Sequence, residues 1–161
     1  MARSPNASIG SDSPRHVKRS VPTEISSNRS WPRFIWVDTP TLVRPEVRSL
    51  LADLRHRGQS YGVFTNDLVH LFGHDWPQSF PEISNARWFI DANAAGALKP
   101  EVAAFKGATD IVGKPAEHIV FLDDDHLNIE AATKYGMTAV LLDVAEPHHA
   151  ITHVRTLPEQ G

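Results

Sequence analysis

The apolar run Ile119-Val120-Phe121-Leu122 ends directly in Asp123-Asp124-Asp125, with His126 and Asn128 close behind and a Lys99-Pro100 pair one crossover earlier. A short apolar run of this kind reads as a buried strand, so it brings adjacent carboxylates to its C-terminal tip. Paired carboxylates suit a divalent cation that prefers oxygen, and a nearby ammonium offsets their repulsion of an incoming anion. The chemistry these residue types suit is therefore of the phosphate type. Thr65-Asn66-Asp67 adds a hydroxyl and a helix N-cap after a second apolar run.

The elements that must position these residues follow from hydrophobic spacing. Phe34 to Val37 is an apolar run ending in Asp38; Pro45 then opens a helix whose Val47, Leu50, Leu51 and Leu54 fall at helical spacing up to Gly58. Tyr61 to Phe64 reads as a strand, residues 67–86 as irregular with a short helix near Leu68 to Phe72, and Trp88 to Ile90, ending in Asp91, as another strand. Residues 92–98 read as a loop. Pro100 is expected to open a helix carrying Val102, Phe105, Ala108 and Val112 on its apolar face as far as Gly113. The strand 119–122, a helix over 127–135 closed by Gly136, and a strand over 138–142 follow; Pro147 to Arg155 ends the chain as a helix or a frayed segment.

Strand and helix alternate, which predicts an α/β fold: a three-layer Rossmann-like sandwich with a mainly parallel sheet covered on both faces. Ligands of such sheets gather outside the carboxyl ends of the strands. Asp38, Thr65, Asp91, Asp123 and Asp124 all fall on those ends.

With 161 residues, 41% of them apolar, the chain supports one core of ordinary size. It has no cysteine, which removes thiolate metal clusters, disulfides and thiol nucleophiles. No stretch approaches the roughly 20 apolar residues of a membrane span, and a cytoplasmic protein is expected. Charge divides the sequence: residues 1–33 carry six Lys or Arg against two acids, and the remainder ten against seventeen. The first 33 residues, rich in Ser and Pro and without apolar periodicity, are expected to be a disordered leader, and residues 34–157 the core domain. The acidic body argues against nucleic acid as the main partner.

Phe64-Thr65-Asn66, Lys99-Pro100 and Phe121-Leu122-Asp123-Asp124, with Asn128 and Gly136 behind, resemble in order the second, third and fourth motifs of the haloacid dehalogenase-like (HAD) hydrolases. The resemblance covers roughly residues 44–145. It implies that Thr65, with Asn66, and Lys99 bind the substrate's oxyanion, that Lys99 also neutralises charge on the nucleophile, and that Asp123 and Asp124 hold Mg²⁺. Asp125 stands where the family often has a small polar residue.

The first motif departs from the family. A complete member carries Asp-x-Asp-Gly-Thr-Leu, in which the first Asp attacks phosphorus and the second acts as general acid and base. The nearest match is Asp38-Thr39-Pro40-Thr41-Leu42, with proline where the second carboxylate belongs. Asp38 is thus the candidate nucleophile, and the acid/base residue, worth about 10²–10⁴ in rate, is missing. Dehalogenase members also lack that second carboxylate and attack carbon without a metal.

Two readings of residues 31–43 stand side by side. In one, Phe34 to Val37 is the central strand, between those carrying Thr65 and Asp123. In the other, the segment is a remnant of a cap helix and its connector. Too little chain separates Asp38 from the Pro45 helix for a cap domain. The resulting expectation is a HAD-like hydrolase, phosphatase-type, acting on a small phosphorylated or similar anionic substrate through an aspartyl intermediate. The alternatives are a catalytically impaired binding or regulatory relative and a metal-independent dehalogenase-type hydrolase.

Other motifs fail on spacing. Gly107 to Lys114 has five residues between its glycines instead of four and Pro115 in place of Ser or Thr, so it is no phosphate-binding loop. The pairs His70/His74 and His149/His153 lack the glutamate and third ligand of a hydrolytic zinc site.

Overall fold

The computed structural model describes residues 43–66, 68, 69 and 80–158. The chain divides into two units, Met1–Ile35 and Trp36–Gly161, and every described residue belongs to the second. Asp38, the run 34–37, Asp67 and the His70/His74 pair lie outside the described residues.

The described elements are α1 (Pro45–His56), β1 (Gly62–Thr65), α2 (Pro81–Ser84), β2 (Trp88–Asp91), α3 (Ala92–Ala95), α4 (Val102–Val112), β3 (Val120–Asp123), α5 (His126–Tyr135), β4 (Thr138–Leu141) and α6 (Pro147–Thr156). A single 3₁₀ turn, Ala116–His118, leads into β3. β1 pairs in parallel with β2, Gly62 opposite Trp88 and Thr65 opposite Asp91; β3 pairs in parallel with β4, Val120 opposite Thr138 and Asp123 opposite Leu141. The α/β class with parallel strands is as the alternation predicts. Among the described residues the strands form two separate ladders.

Residue alternation along the strands sets the layers, because successive side chains leave opposite faces. On β1, Phe64 packs with Phe105 of α4 and with Phe121, Ala132 and Met137, whereas its neighbour Val63 packs with Phe80 and Ile83. On β4, Ala139 joins the first of these clusters; Val140, buried like Ile151 of α6, points the other way. Helices α4 and α5 pack on each other over one face, and α1 and α6 pack on each other.

At the centre of the first cluster Phe105 is fully buried. It meets Phe64 edge-on with centroids 5.8 Å apart and Phe121 edge-on at 5.6 Å. Such T-shaped pairs add about 0.5–1.5 kcal/mol each beyond burial, because ring edges and faces carry opposite partial charge.

Several boundaries differ from the sequence reading. Residues 92–98 are not all loop: Asp91 accepts hydrogen bonds from Asn93 N (3.0 Å) and Ala94 N (3.4 Å) and so caps the short helix α3, which Gly96 ends. The span 80–84, read as irregular, holds α2, with Pro81 in its first turn. Pro100 does not open α4, which starts at Val102 after a non-helical Glu101. Its buried face is Ala104, Phe105, Ala108 and Thr109; Val102, expected on the apolar face, is 62% exposed because it lies in the first turn beyond the edge of the core. The terminal segment is a regular helix, tied to α1 by Arg155, whose Nη2 lies 2.6 Å from Asp53 Oδ2 and 2.8 Å from Ser49 Oγ.

Gly136 ends α5 as the sequence predicts, at φ 106°. That left-handed backbone favours a residue without Cβ, and it lets the chain reverse into β4 within two residues.

Candidate functional site

The site is built at the C-terminal tips of β1 and β3. Lys99, in the segment between α3 and α4, reaches across them: its Nζ donates to the Phe64 carbonyl of β1 at 3.0 Å and to Asp123 Oδ2 of β3 at 2.6 Å. Both side chains are buried, 8% and 10% exposed. The ammonium also sits 5.0 Å from the Phe64 ring centroid and 5.3 Å from that of Phe121, within cation–π range. A lone buried ammonium would be strongly disfavoured. Here a carboxylate, a carbonyl and two aromatic rings stabilise it, and the same contacts fix its position.

The backbone of Lys99 is held as firmly as its side chain. Lys99 N donates to Asn66 Oδ1 at 2.9 Å, and Asn66 Nδ2 donates to the Lys99 carbonyl at 3.0 Å. The Lys99–Pro100 peptide bond is cis. Asn66, read from the sequence as a substrate ligand, directs both ends of its side-chain amide at this backbone.

Thr65 is buried at the tip of β1. Its Oγ1 accepts a hydrogen bond from Leu68 N at 3.3 Å, an N-cap arrangement that leaves the hydroxyl proton available to donate.

Asp123 is the most heavily bonded acid of the site. Besides the Lys99 contact on Oδ2, its Oδ1 accepts from Asp125 N at 2.9 Å and from Asn128 Nδ2 at 3.0 Å. A carboxylate offers about four lone-pair positions, so Oδ2, at the rim that the strand tips form, retains one. Asp124, next along the chain, is exposed at that rim. Asp125 caps α5 by accepting from Leu127 N at 2.9 Å. The His126 side chain is 72% exposed.

Asn128, which stands behind the fourth motif in the sequence without an assigned role, contributes to the site. It is 7% exposed, donates to Asp123, and leaves its Oδ1 buried without a hydrogen-bond partner. The available signal was its place in the first turn of a helix that starts just after the strand tip. The Phe64 carbonyl has no sequence signal, since every residue carries one.

The oxygens that residues 123–128 offer are one lone pair of Asp123, the exposed Asp124 carboxylate and the buried, unpartnered Asn128 Oδ1. That set fits a hard cation such as Mg²⁺, which takes one or two carboxylates and completes its shell with water and substrate oxygens. No group of three or more His, Asp or Glu side chains disposed to hold a metal occurs among the described residues. Cavities of about 440 Å³, between Thr109, Lys114 and Tyr135, and about 250 Å³, beside Arg55 and Arg87, lie elsewhere. Among the described residues no helix is long and apolar enough to cross a membrane.

No family model matches the chain. Several solved structures do resemble it. An uncharacterized protein from Corynebacterium glutamicum is 22% identical with a TM-score of 0.57, over 74% of this chain and 87% of its own length. An L-2-haloacid dehalogenase is 23% identical, TM-score 0.55, over 62% of this chain and 43% of its own. A magnesium complex of a HAD-family enzyme from Bacteroides thetaiotaomicron is 21% identical, TM-score 0.50, over 69% of this chain and 57% of its own. The chain thus spans about half the length of the two enzymes it matches. Parallel strands, alternating helices and these likenesses agree on one architecture: the chain has the α/β fold of the haloacid dehalogenase-like hydrolases.

Proposed function

We propose that this chain is a HAD-like hydrolase of the phosphatase type, acting on a small phosphorylated or similar anionic substrate through an aspartyl intermediate on Asp38. The observation that carries the reading is the bridge from Lys99 Nζ to Phe64 O and Asp123 Oδ2, which fixes one cation between two strand tips.

In this reading the Asp38 carboxylate attacks phosphorus, the ester oxygen departs, and water then hydrolyses the acyl phosphate. Lys99 has one N–H left after its two hydrogen bonds, and that N–H with the Thr65 hydroxyl meets the phosphoryl oxygens, whose negative charge a preorganised cation stabilises. Asn66 acts by holding Lys99. Asp123 and Asp124 hold Mg²⁺, with Asn128 orienting Asp123. When bound, the metal supplies charge neutralisation for the substrate oxygens. Proline at position 40 leaves the leaving group without a carboxylic acid to protonate it, so the reading predicts slow turnover or good leaving groups.

A second reading, a binding or regulatory relative that takes Mg²⁺ and an anion without turnover, is favoured by the same proline and by the ion pair that already engages Lys99 with Asp123. A metal-independent dehalogenase is the third, supported by the likeness to an L-2-haloacid dehalogenase. Activity screens on small phosphoesters, with and without Mg²⁺, and on 2-haloacids separate the three when run beside Asp38→Asn. Metal-dependent ester hydrolysis abolished by the substitution supports the first. Hydrolysis that survives it refutes Asp38 as nucleophile, and metal binding without turnover supports the second.

A further inference from the structure

At the opposite end of the β1–β2 ladder, where the strands begin, a cavity of about 250 Å³ is lined by Arg55, Gln59, Ser60, Tyr61, Asn85 and Arg87. We infer that this cavity is an oxyanion-binding site for a ligand of the phosphate class, held between the guanidinium groups of Arg55 and Arg87.

The argument begins with charge. The lining contains two cations and no carboxylate. Glu82 and Asp53 are engaged by other arginines: Glu82 Oε1 lies 3.3 Å from Arg48 Nε, and Asp53 Oδ2 lies 2.6 Å from Arg155 Nη2. Among the described residues neither Arg55 nor Arg87 has a carboxylate partner.

Geometry comes next. The two arginines arrive from different elements, Arg55 from the last turn of α1 and Arg87 from the residue before β2. The backbone N–H of Arg87 donates to the Tyr61 carbonyl at 2.9 Å, which ties the residue before β2 to the residue before β1. The Arg87 guanidinium lies 5.0 Å from the Trp88 ring centroid, and a cation–π contact of this kind leaves guanidinium N–H groups free of a carboxylate. Gln59 and Ser60 supply neutral donors, and Asn85 keeps one amide N–H after donating the other to the Pro81 carbonyl at 2.6 Å. A planar fork paired with neutral donors matches tetrahedral oxyanions. An added Cβ at Gly58, which also borders the cavity, would meet nothing within 4 Å, so the mouth is open.

The site does not depend on the proposed hydrolase chemistry, and the test keeps the two ends of the ladder apart. The full chain, labelled with ¹⁵N, is titrated with inorganic phosphate at constant ionic strength, and amide shifts are followed at residues 58–61 and 85–87 and, separately, at 65, 66 and 123–125. The expected result is saturable shifts in the first group. Arg55→Gln and Arg87→Gln each weaken that binding, and the double variant weakens it at least tenfold, about 1.4 kcal/mol. Circular dichroism establishes that each variant is folded, and either single variant suffices for the comparison if the double one is not. Saturable shifts confined to the second group overturn the inference, as do shifts that track chloride equally well. So does a folded Arg55→Gln variant that loses stability and binds phosphate as before, because Arg55 would then serve only the C-terminus of α1.

Discussion

The side-chain amide of Asn66 closes a hydrogen-bonded ring with the backbone of Lys99, accepting from its N–H at 2.9 Å and donating to its carbonyl at 3.0 Å. The segment between α3 and α4 is thereby pinned to the tip of β1. With its Cα placed, the lysine side chain needs only an extended reach to set its ammonium between Phe64 O and Asp123. Asn66 is a positioning residue for the buried Lys99 ammonium.

Replacing Asn66 with Ala removes both bonds and leaves two part-buried backbone groups without partners. A destabilisation of about 1–3 kcal/mol follows, to be read from urea denaturation. Asn66→Asp keeps the acceptor and loses the donor, so it should fall between wild type and Asn66→Ala. Equal stability of all three proteins would show that the ring contributes nothing.

Lys99→Met strips Asp123 of its ion-pair partner inside a site about nine-tenths buried. Removing one member of a buried pair typically costs about 3–5 kcal/mol, because the other charge is left uncompensated. Asp123→Asn in the Lys99→Met background should recover part of that loss. A double-mutant cycle by thermal or urea unfolding measures the coupling, and strict additivity would mean that the two side chains do not interact.

Burial pushes the Tyr61 phenol above the usual tyrosine range; Arg55 nearby works in the opposite direction and Glu82 reinforces the rise. The folded chain therefore keeps this proton at pH values where the unfolded chain has lost it. Its contribution to stability is complete below about pH 10, the unfolded value, and declines as pH rises from there through the folded value. Absorbance titration of phenolate in the native protein should show a component above that range which vanishes in Tyr61→Phe.

Phe105 is fully buried and packs edge-on against both Phe64 and Phe121. Phe105→Ala should cost about 3–5 kcal/mol through lost burial and a residual cavity. Since Phe64 and Phe121 also face the Lys99 ammonium, the same variant should loosen the rim, visible as faster amide hydrogen exchange at residues 65, 66 and 123. Exchange unchanged at those positions would separate the core from the site.

The sequence by itself determined the order of the four described strands and of the helices α1, α4 and α5. Apolar runs of four residues and helical spacings are written along the chain, and so are the glycines that end α4 and α5. The ordered motifs at residues 65, 99 and 123 also named segments that meet at the tips of β1 and β3. Boundaries set by local hydrogen bonds were less legible: Asp91 caps α3, and the Glu101 N–H turns back to the Leu98 carbonyl at 2.8 Å before α4 begins.

Only the tertiary structure decided what each site residue holds. Lys99 meets Phe64 across 35 positions and Asp123 across 24, and the acceptor in the first case is a backbone carbonyl, which no residue type announces. Asn66 turned toward Lys99 across 33 positions. Periodicity constrains which face of an element is buried. It carries no information about which distant polar group must be satisfied once water has been excluded, and that requirement joined these side chains into one site.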